Sequence, residues 1–345
     1  MSNETDYMTI SRYNFISQEI TKYAGIILYF LCLFGTIMNI LTLARQTYNS
    51  GPCSFYLLIA SYCDLIHLHI RPLSNILLYS FQYTWPVPSA CFCKVKSYTD
   101  FVSSVTSGTL ATITSIDRYI LSCRESSRWK YCTRPIAIRS TKLIILFWFI
   151  ASIPIIFCYT RFIHASHNEQ LICSNPSRSS ICLIIHVLYV CIFNGFFHPI
   201  VTLIFGILTS INIHELRQRS QLKSCRIQQV NYQLTAMVVL ESIKSSFASL
   251  PMSIFNCYLV VVRNKRKSRL YEVKENLVHQ IFYLLFWSNY TSFFIYLYSS
   301  DIFRKQWLKV MRNLFCYPCR RKEKQRSCRP ETHRLNACGS KCTDF

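Results

Sequence analysis

Seven long apolar stretches occupy most of the chain and restrict what it can fold into. Each is long enough to cross a bilayer as an α-helix, which satisfies its own backbone hydrogen bonds inside the hydrocarbon core. A membrane β-barrel would need alternating segments of about ten residues, and the sequence does not have them. The stretches cover residues 24–46, 54–80, 97–123, 141–160, 181–211, 232–262 and 277–299. The sequence therefore predicts an all-α membrane protein, a seven-transmembrane helix bundle.

The polar residues divide around this bundle. We expect an extracellular head over 1–22, the bundle over 23–300, a short amphipathic helix on the membrane surface over 301–315 and a basic cytoplasmic tail over 316–345. Because residues 1–20 are polar and charged, no secretory signal is expected before the first span. No second domain and no internal repeat is expected.

The formal net charge of +22 indicates membrane topology rather than nucleic-acid binding. A nucleic-acid partner would require basic residues gathered on one soluble face, whereas here they are distributed among the loops. Lys and Arg are more numerous on the side of the tail, which predicts an extracellular N-terminus and a cytoplasmic C-terminus in the plasma membrane. The third outer loop is an exception, because residues 263–274 are rich in Lys and Arg. That charge can attract an acidic ligand.

A charged tripeptide, Asp117-Arg118-Tyr119, closes the third apolar stretch, and Cys93 precedes the same stretch. At about 1.5 Å per helical residue, Cys93 and Arg118 are roughly 37 Å apart, more than the ~30 Å hydrocarbon core. One helix can therefore place a cysteine outside the membrane and an ion pair inside it. The sequence has no Gly-rich phosphate loop and no His-Glu-x-x-His helix, so we expect a signalling bundle and not an enzyme.

The 18 cysteines do not indicate a disulfide framework. Most lie in apolar stretches, where a thiol behaves as a small hydrophobic group. The outer candidates are Cys91, Cys93, Cys173 and Cys182. Cys93 begins the third span and Cys173 lies midway between the fourth and fifth spans, so a Cys93–Cys173 disulfide is predicted, with Cys91 as a rival for Cys93.

Several landmarks follow one another along the chain. They are Asn39 in Gly35-Thr-Ile-Met-Asn39, Asp64 in Ala60-Ser-Tyr-Cys-Asp64, Trp85, Cys93, Asp117-Arg118-Tyr119, Trp148, Pro199, Pro251, and Tyr296 followed by Phe303-Arg304. In their order and spacing over roughly residues 22–315, the chain resembles the rhodopsin-like G-protein-coupled receptors, as a divergent invertebrate peptide-receptor-like member. The resemblance implies a receptor that transmits the binding of an extracellular ligand to a heterotrimeric G protein.

The chain departs from the family pattern at several switch positions. Ser249 replaces the tryptophan before the sixth-span proline, and Ser292-Phe293 replaces the seventh-span Asn-Pro pair. Ile207 replaces the fifth-span tyrosine, and Asn231 stands where some relatives carry an acid that locks to the arginine. These departures leave open a receptor-like protein that no longer couples.

The resemblance implies that Asp117, Arg118, Tyr119 and Tyr296 form the coupling switch. Asp117 would pair with Arg118 at rest, and Arg118 would contact the G protein once the sixth helix moves outward. A buried cation in a membrane protein is a functional hypothesis by default. The alternative is that Asp117-Arg118 only anchors the helix at the level of the lipid headgroups.

Asp100 lies five helical turns before Arg118, so both point into the bundle. Asp100 would then face the outer ligand cavity, where an acid can pair with a cationic ligand group. The alternative is an internal ion pair with Arg71.

Asp64 and Ser107 are predicted to form a polar cluster in the middle of the membrane, which Asn39, Ser288, Asn289 and Ser292 would complete. By resemblance this is a sodium site, in which oxygen atoms hold a hard cation. The alternative is a hydrogen-bond network without an ion.

Glu241 and Lys244 are three residues apart in the sixth span, a spacing that permits an ion pair within the helix. A structural pair is the first interpretation. A replacement for a missing switch contact is the second.

Residues 303–314 alternate apolar and basic side chains at helical spacing, which predicts a helix bound to membrane lipids. Cys316 and Cys319 after it are candidate palmitoylation sites, with a zinc site as the alternative. Asn3 begins a glycosylation sequon, and Thr343-Asp344-Phe345 fits capture by a PDZ domain.

Charged, aromatic-rich outer loops and Pro72 favour a neuropeptide-like ligand, with a biogenic amine as the alternative. An ion-coupled transporter or channel is the main rival function. Such proteins show repeated halves and Gly/Pro-broken helices, whereas this chain has 7 Gly and no detected repeat.

Overall fold

The computed structural model describes residues 2–47, 52–81, 89–123, 130–164, 170–174, 180–219, 226–262, 265 and 267–327. Twelve α-helices and one β-hairpin occur in these ranges. The helices are α1 Ser2–Thr47, α2 Pro52–Ile70, α3 Pro72–Phe81, α4 Ala90–Ser122, α5 Arg134–Ala151, α6 Ile153–Cys158, α7 Ser180–His186, α8 His198–Arg219, α9 Arg226–Val262, α10 Arg269–Trp287, α11 Ser292–Ser299 and α12 Asp301–Ser327.

These helices make seven spans. The first, third and sixth spans are the single helices α1, α4 and α9. The second span is α2 with α3, and the fourth is α5 with α6. The fifth span is α7 and α8, joined by π-helical turns over Val187–Phe197. The seventh span is α10 and α11, joined by a 3-10 turn over Ser288–Thr291. The end of the bundle near Cys93 is called the outer end below, and the end near Arg118 the inner end.

Proline explains two of the breaks within spans. The second span turns at Arg71, immediately before Pro72, and the fourth turns at Ser152, immediately before a helix with proline in its first turn. Proline lacks the N–H that would continue the hydrogen-bond ladder, and it disfavours the helical conformation of the residue before it. Pro251 lies inside α9, where the helix continues past it.

The surface of the bundle is apolar, as the lipid environment requires. Phe157, Phe247 and Tyr298 expose 78%, 75% and 82% of their surface, an arrangement that water would oppose and hydrocarbon favours. Among the described residues, five helical stretches are long and apolar enough to cross a membrane by themselves, and they belong to the first, second, fourth, fifth and sixth spans. The chain is a seven-helix membrane bundle.

Three apolar clusters hold the spans together. Toward the inner end, Leu43, Met237 and Phe293 join the first, sixth and seventh spans to Phe303 of α12. Another cluster packs the first, second and seventh spans around Trp287. The third joins the third, fourth and fifth spans around Trp148, whose indole nitrogen donates a hydrogen bond to Thr109 Oγ1 at 2.8 Å.

A β-hairpin lies between the fourth and fifth spans. Strand β1 (Thr160–His164) pairs with antiparallel strand β2 (Gln170–Ser174), and Arg161 stands opposite Cys173. Cys93 takes part in a disulfide and Cys91 is a free thiol, while the side chain of Cys173 lies outside the described ones. A disulfide that the sequence did not indicate joins Cys158 to Cys182, which removes Cys182 from the candidates for Cys93.

The ends of the chain are more helical than the predicted boundaries suggest. Helix α1 begins at Ser2, so the head continues directly into the first span. Helix α12 extends past residue 315 and across Pro318 to Ser327, and the segment after Pro318 is rich in Lys, Arg, Glu and Gln, which favour helices. Phe303 and Val310 of α12 are buried against the bundle, whereas Leu308 and Leu314 are exposed.

Candidate functional site

The outer cavity contains an ion pair between the second and third spans. Arg71 Nη1 donates to Asp100 Oδ2 at 2.8 Å, and His67 Nδ1 lies 3.0 Å from the other carboxylate oxygen of Asp100. Arg71 Nε also donates to the hydroxyl of Tyr283 on the seventh span at 3.1 Å. The Asp100 side chain is 7% exposed and that of Arg71 is 42% exposed. The cavity therefore presents the arginine, while the acid behind it is already paired.

This pair is the alternative that the sequence left open for Asp100. The break at Pro72 positions Arg71 in a turn at the end of α2, where its side chain reaches across to α4. Asp100 lines the cavity together with Phe101, Asn194 and Asn256. The cavity has a volume of about 60 Å³, which is enough for a small polar group of a ligand, such as a carboxylate.

A second polar cavity lies in the middle of the bundle and adjoins the first at Ser104, Asn194 and Phe286. Asp64 accepts a hydrogen bond from Ser107 at 2.5 Å, so the structure joins the two residues predicted to form a polar cluster. Asn289 and Ser292, which were expected to complete it, also line this cavity. Asn39 and Ser288, the other two expected members, are not among its lining residues.

Lys244 and Glu241 form the predicted pair in the sixth span, with 2.8 Å between Nζ and Oε1. The pair also contacts the seventh span. Lys244 Nζ donates to the carbonyl of Asn289 at 2.9 Å and to Ser292 Oγ at 3.2 Å, and Ser292 Oγ donates to Glu241 at 2.7 Å. The pair is thus a junction between two helices rather than a feature of one helix.

The serine at the altered sixth-span position also bonds to the seventh span. Ser249, which stands in place of the sixth-span tryptophan, accepts a hydrogen bond from Asn289 Nδ2 at 3.0 Å. The sixth and seventh spans are therefore joined by hydrogen bonds where relatives have a large aromatic ring.

Arg118 and Asp117 form a buried pair at the inner end. Arg118 Nη2 donates to Asp117 Oδ2 at 2.6 Å, and the two side chains are 3% and 7% exposed. Arg118 Nε has no hydrogen-bond partner among the described side chains, and the side chain of Asn231 lies outside that set. A charge so fully desolvated requires its partner, so Asp117 keeps the arginine inside the bundle.

The other two residues predicted for the switch, Tyr119 and Tyr296, contact the fifth span and α12. The Tyr119 ring packs edge-on against Phe205 of the fifth span, with ring centroids 5.4 Å apart. Tyr296 is buried, lines the middle cavity and packs against Phe303 at 5.7 Å.

The inner end of the sixth span is tied to the start of α12. Gln233 Oε1 accepts from the backbone N–H of Ile302 at 3.0 Å and from Ser300 Oγ at 3.3 Å, and its amide nitrogen donates to Asp301 at 3.4 Å. Gln233 therefore serves as an N-terminal cap for α12 supplied by another helix.

Some predicted sites lie outside the described residues. The structure describes neither Trp85 nor Thr343-Asp344-Phe345, and it describes the backbone but not the side chains of Asn3, Cys316 and Cys319. Sequence reasoning, for its part, missed His67 and Tyr283 around the Asp100 pair. His67 precedes Arg71 by one helical turn, so this spacing was a usable signal; the approach of Tyr283 depends on how the spans pack.

The comparisons with known proteins agree with this architecture. The family model described as 7 transmembrane receptor (rhodopsin family) matches residues 35–295, which include all seven spans in whole or in part. No curated protein matches the chain.

Proposed function

Because the chain belongs to the rhodopsin family of seven-transmembrane receptors, we propose that it binds an extracellular neuropeptide-like ligand in the outer cavity and activates a heterotrimeric G protein at its inner end. It is a multi-pass receptor of the plasma membrane and not an enzyme. In the proposed orientation the N-terminus is extracellular and the C-terminus cytoplasmic, in line with the excess of Lys and Arg near the inner end.

One observation carries the proposal: the third span holds a residue of each site. Asp100 lies in the outer cavity and the buried Asp117–Arg118 pair at the inner end of the same helix, α4. A ligand that prefers one arrangement of the spans around Asp100 would shift the population of states at Arg118, which is what signalling requires.

The outer cavity favours a ligand with an acidic group over an amine. A cationic ligand would have to displace Arg71 from Asp100, and the exposed part of Arg71 would repel it. An acidic side chain or carboxyl terminus of a peptide would instead approach the guanidinium, which binds carboxylates in a planar, two-bond geometry. Lys96 lies close enough to interact electrostatically with both members of the pair and adds to the positive charge. In this proposal Asp100 is a positioning residue for Arg71.

The ligand can be found by screening peptide and amine libraries on cells that express the chain, with several second messengers as readouts. With an acidic peptide, Arg71→Gln should lower potency about 10–100-fold, the loss of one charge-assisted bond of about 1.5–3 kcal/mol. Arg12→Gln, which removes an exposed cation of α1 near the outer end, is the matched control and should change potency little. A ligand whose potency falls in Asp100→Asn and is kept or raised in Arg71→Gln would identify an amine site instead.

Coupling is tested at the inner end with the same ligand. Arg118→Ala at equal surface expression should abolish the messenger response while ligand binding is kept. Arg139→Ala removes an exposed arginine near the same end of the bundle and should leave the response unchanged. A full response in Arg118→Ala would refute the role of Arg118.

Two other outcomes separate the rival functions. Ligand binding without any messenger response in the unmodified chain would indicate a receptor that no longer couples, as the substitutions Ser249 and Ser292-Phe293 suggest. Current or substrate flux in reconstituted vesicles would indicate a channel or transporter.

The proposal extends to the ends of the chain. We propose glycosylation at Asn3, palmitoylation at Cys316 and Cys319, contact of α12 with inner-leaflet lipids, and binding of the C-terminus to a PDZ domain. The exposed Leu308 and Leu314 support the lipid contact, since apolar side chains on a basic helix insert between headgroups. Acyl labelling that survives Cys316→Ser/Cys319→Ser would contradict the palmitoylation proposal.

A further inference from the structure

The family implies a sodium ion in the middle of the bundle, and the residues of this chain can be tested for it. A hard cation needs several oxygen atoms that are free to turn toward it. Asp64 and Ser107 are together in the middle cavity, and of the other residues predicted for the site, Asn289 and Ser292 of the seventh span line that cavity.

Two of the oxygens that these residues supply, the Asn289 carbonyl and Ser292 Oγ, already have a cationic partner, whereas Asn289 Oδ1 is buried without a hydrogen-bond partner among the described residues. The ammonium of Lys244 has three hydrogens, and it has three oxygen partners: Glu241 Oε1 at 2.8 Å, the Asn289 carbonyl at 2.9 Å and Ser292 Oγ at 3.2 Å. The Ser292 hydroxyl accepts from Lys244 and donates to Glu241, so it is used in both directions.

The charge of Lys244 opposes a second cation at the same oxygens. Its side chain is 17% exposed and that of Glu241 is 18% exposed, so water screens the ammonium only weakly. A sodium ion bound to Ser292 or to the Asn289 carbonyl would share an oxygen with the ammonium, and two cations at that separation repel each other strongly in a poorly solvated site. The residues present therefore do not fit the family's ion.

We infer that Lys244 is the resident cation of this cluster, held covalently by the sixth span, and that the receptor's stability does not depend on sodium. Intramembrane ionisable residues face the bundle interior and pair there, and Lys244 does so across two helices. The contact between the sixth and seventh spans would then be made by a side chain that cannot dissociate, where a bound ion can exchange with the solvent.

The test is the thermal unfolding of the purified full-length chain in nanodiscs, in sodium chloride and in choline chloride at equal ionic strength. The unmodified protein should unfold at the same temperature in both salts. In Lys244→Met the freed oxygens of Glu241, Asn289 and Ser292 join Asp64, so this variant should be stabilised by sodium and not by choline. Lys244→Arg keeps a cation and should behave like the unmodified chain.

A second set of variants covers the case in which an unpaired Glu241 prevents folding. Glu241→Gln/Lys244→Gln removes both charges and should gain the same sodium response. An unmodified protein that sodium stabilises, with the effect lost in Asp64→Asn, overturns the inference. So does a folded neutral variant with no sodium response. Because the readout is stability, the result does not depend on the ligand or on G-protein coupling.

Discussion

Removal of Arg71 from the Arg71–Asp100 pair should destabilise the receptor more than removal of Asp100. In Arg71→Gln the carboxylate of Asp100 stays buried, with His67 in contact with it and Lys96 within electrostatic range. Loss of one partner from a fully buried pair costs about 3–5 kcal/mol. Because Arg71 is 42% exposed and His67 lies 3.0 Å from the acid, we expect a smaller loss of about 2–3 kcal/mol, at or below the lower limit of that range.

Asp100→Asn should cost less. The remaining cation is Arg71, which already contacts solvent and still bonds to the Tyr283 hydroxyl, so we expect about 1 kcal/mol, as for an exposed pair. At ~2–4 °C per kcal/mol for a chain of this class, the midpoints of thermal unfolding should fall by about 5–10 °C in Arg71→Gln and about 2–4 °C in Asp100→Asn.

The double variant Arg71→Gln/Asp100→Asn gives the clearest test, because the effect of Asp100→Asn on the unfolding temperature should change sign in it. Added to Arg71→Gln, Asp100→Asn removes the unpaired buried charge and should raise the unfolding temperature. The exposed pair Asp301–Arg304, with side chains 54% and 49% exposed, is the matched control, and Arg304→Gln there should leave the unfolding temperature nearly unchanged. Equal losses in the two single variants, or additive losses in the double variant, would refute the interpretation of Asp100 as a buried acid held by Arg71.

Three further predictions concern packing, covalent links and the inner end. Gly195→Ala should destabilise the receptor by about 1–3 kcal/mol, because the added Cβ would lie 2.6 Å from Ser253 Cβ. The control Gly206→Ala on the same span meets nothing closer than 3.6 Å and should be neutral or stabilising in the same unfolding assay. Equal effects of the two variants would contradict the close approach of the fifth and sixth spans. Replacement of Cys158 and Cys182 together by serine opens a link with a sequence separation of 24 and should cost up to about 3.5 kcal/mol. A reducing agent should then lower the unfolding temperature of this variant less than that of the unmodified chain. Gln233→Leu removes three hydrogen bonds between the sixth span and the start of α12, so ligand-independent messenger production should rise; a basal level equal to that of the unmodified chain would show that this contact does not restrain the sixth span.

The sequence alone determined the fold class, and the reason is the bilayer. Within hydrocarbon a backbone has few ways to satisfy its hydrogen bonds, so seven apolar stretches of sufficient length leave a helix bundle as the solution. Local spacing also determined the Glu241–Lys244 pair, because side chains three residues apart meet on one helix. The Asp117–Arg118 pair was expected from the family resemblance. For Asp100 it determined the face of the helix but left ligand contact and an internal pair as alternatives.

Contacts between helices were decided only by the tertiary structure. Lys244 bonds to Asn289 and Ser292 because the sixth and seventh spans approach each other there. The hydrophobic periodicity of either segment does not predict that approach. The Cys158–Cys182 disulfide likewise requires the ends of the fourth and fifth spans to meet, although in the sequence Cys158 is one more apolar residue of its stretch. A helical pattern reports which face of a helix is buried, whereas the choice of partner depends on the packing of all seven spans at once.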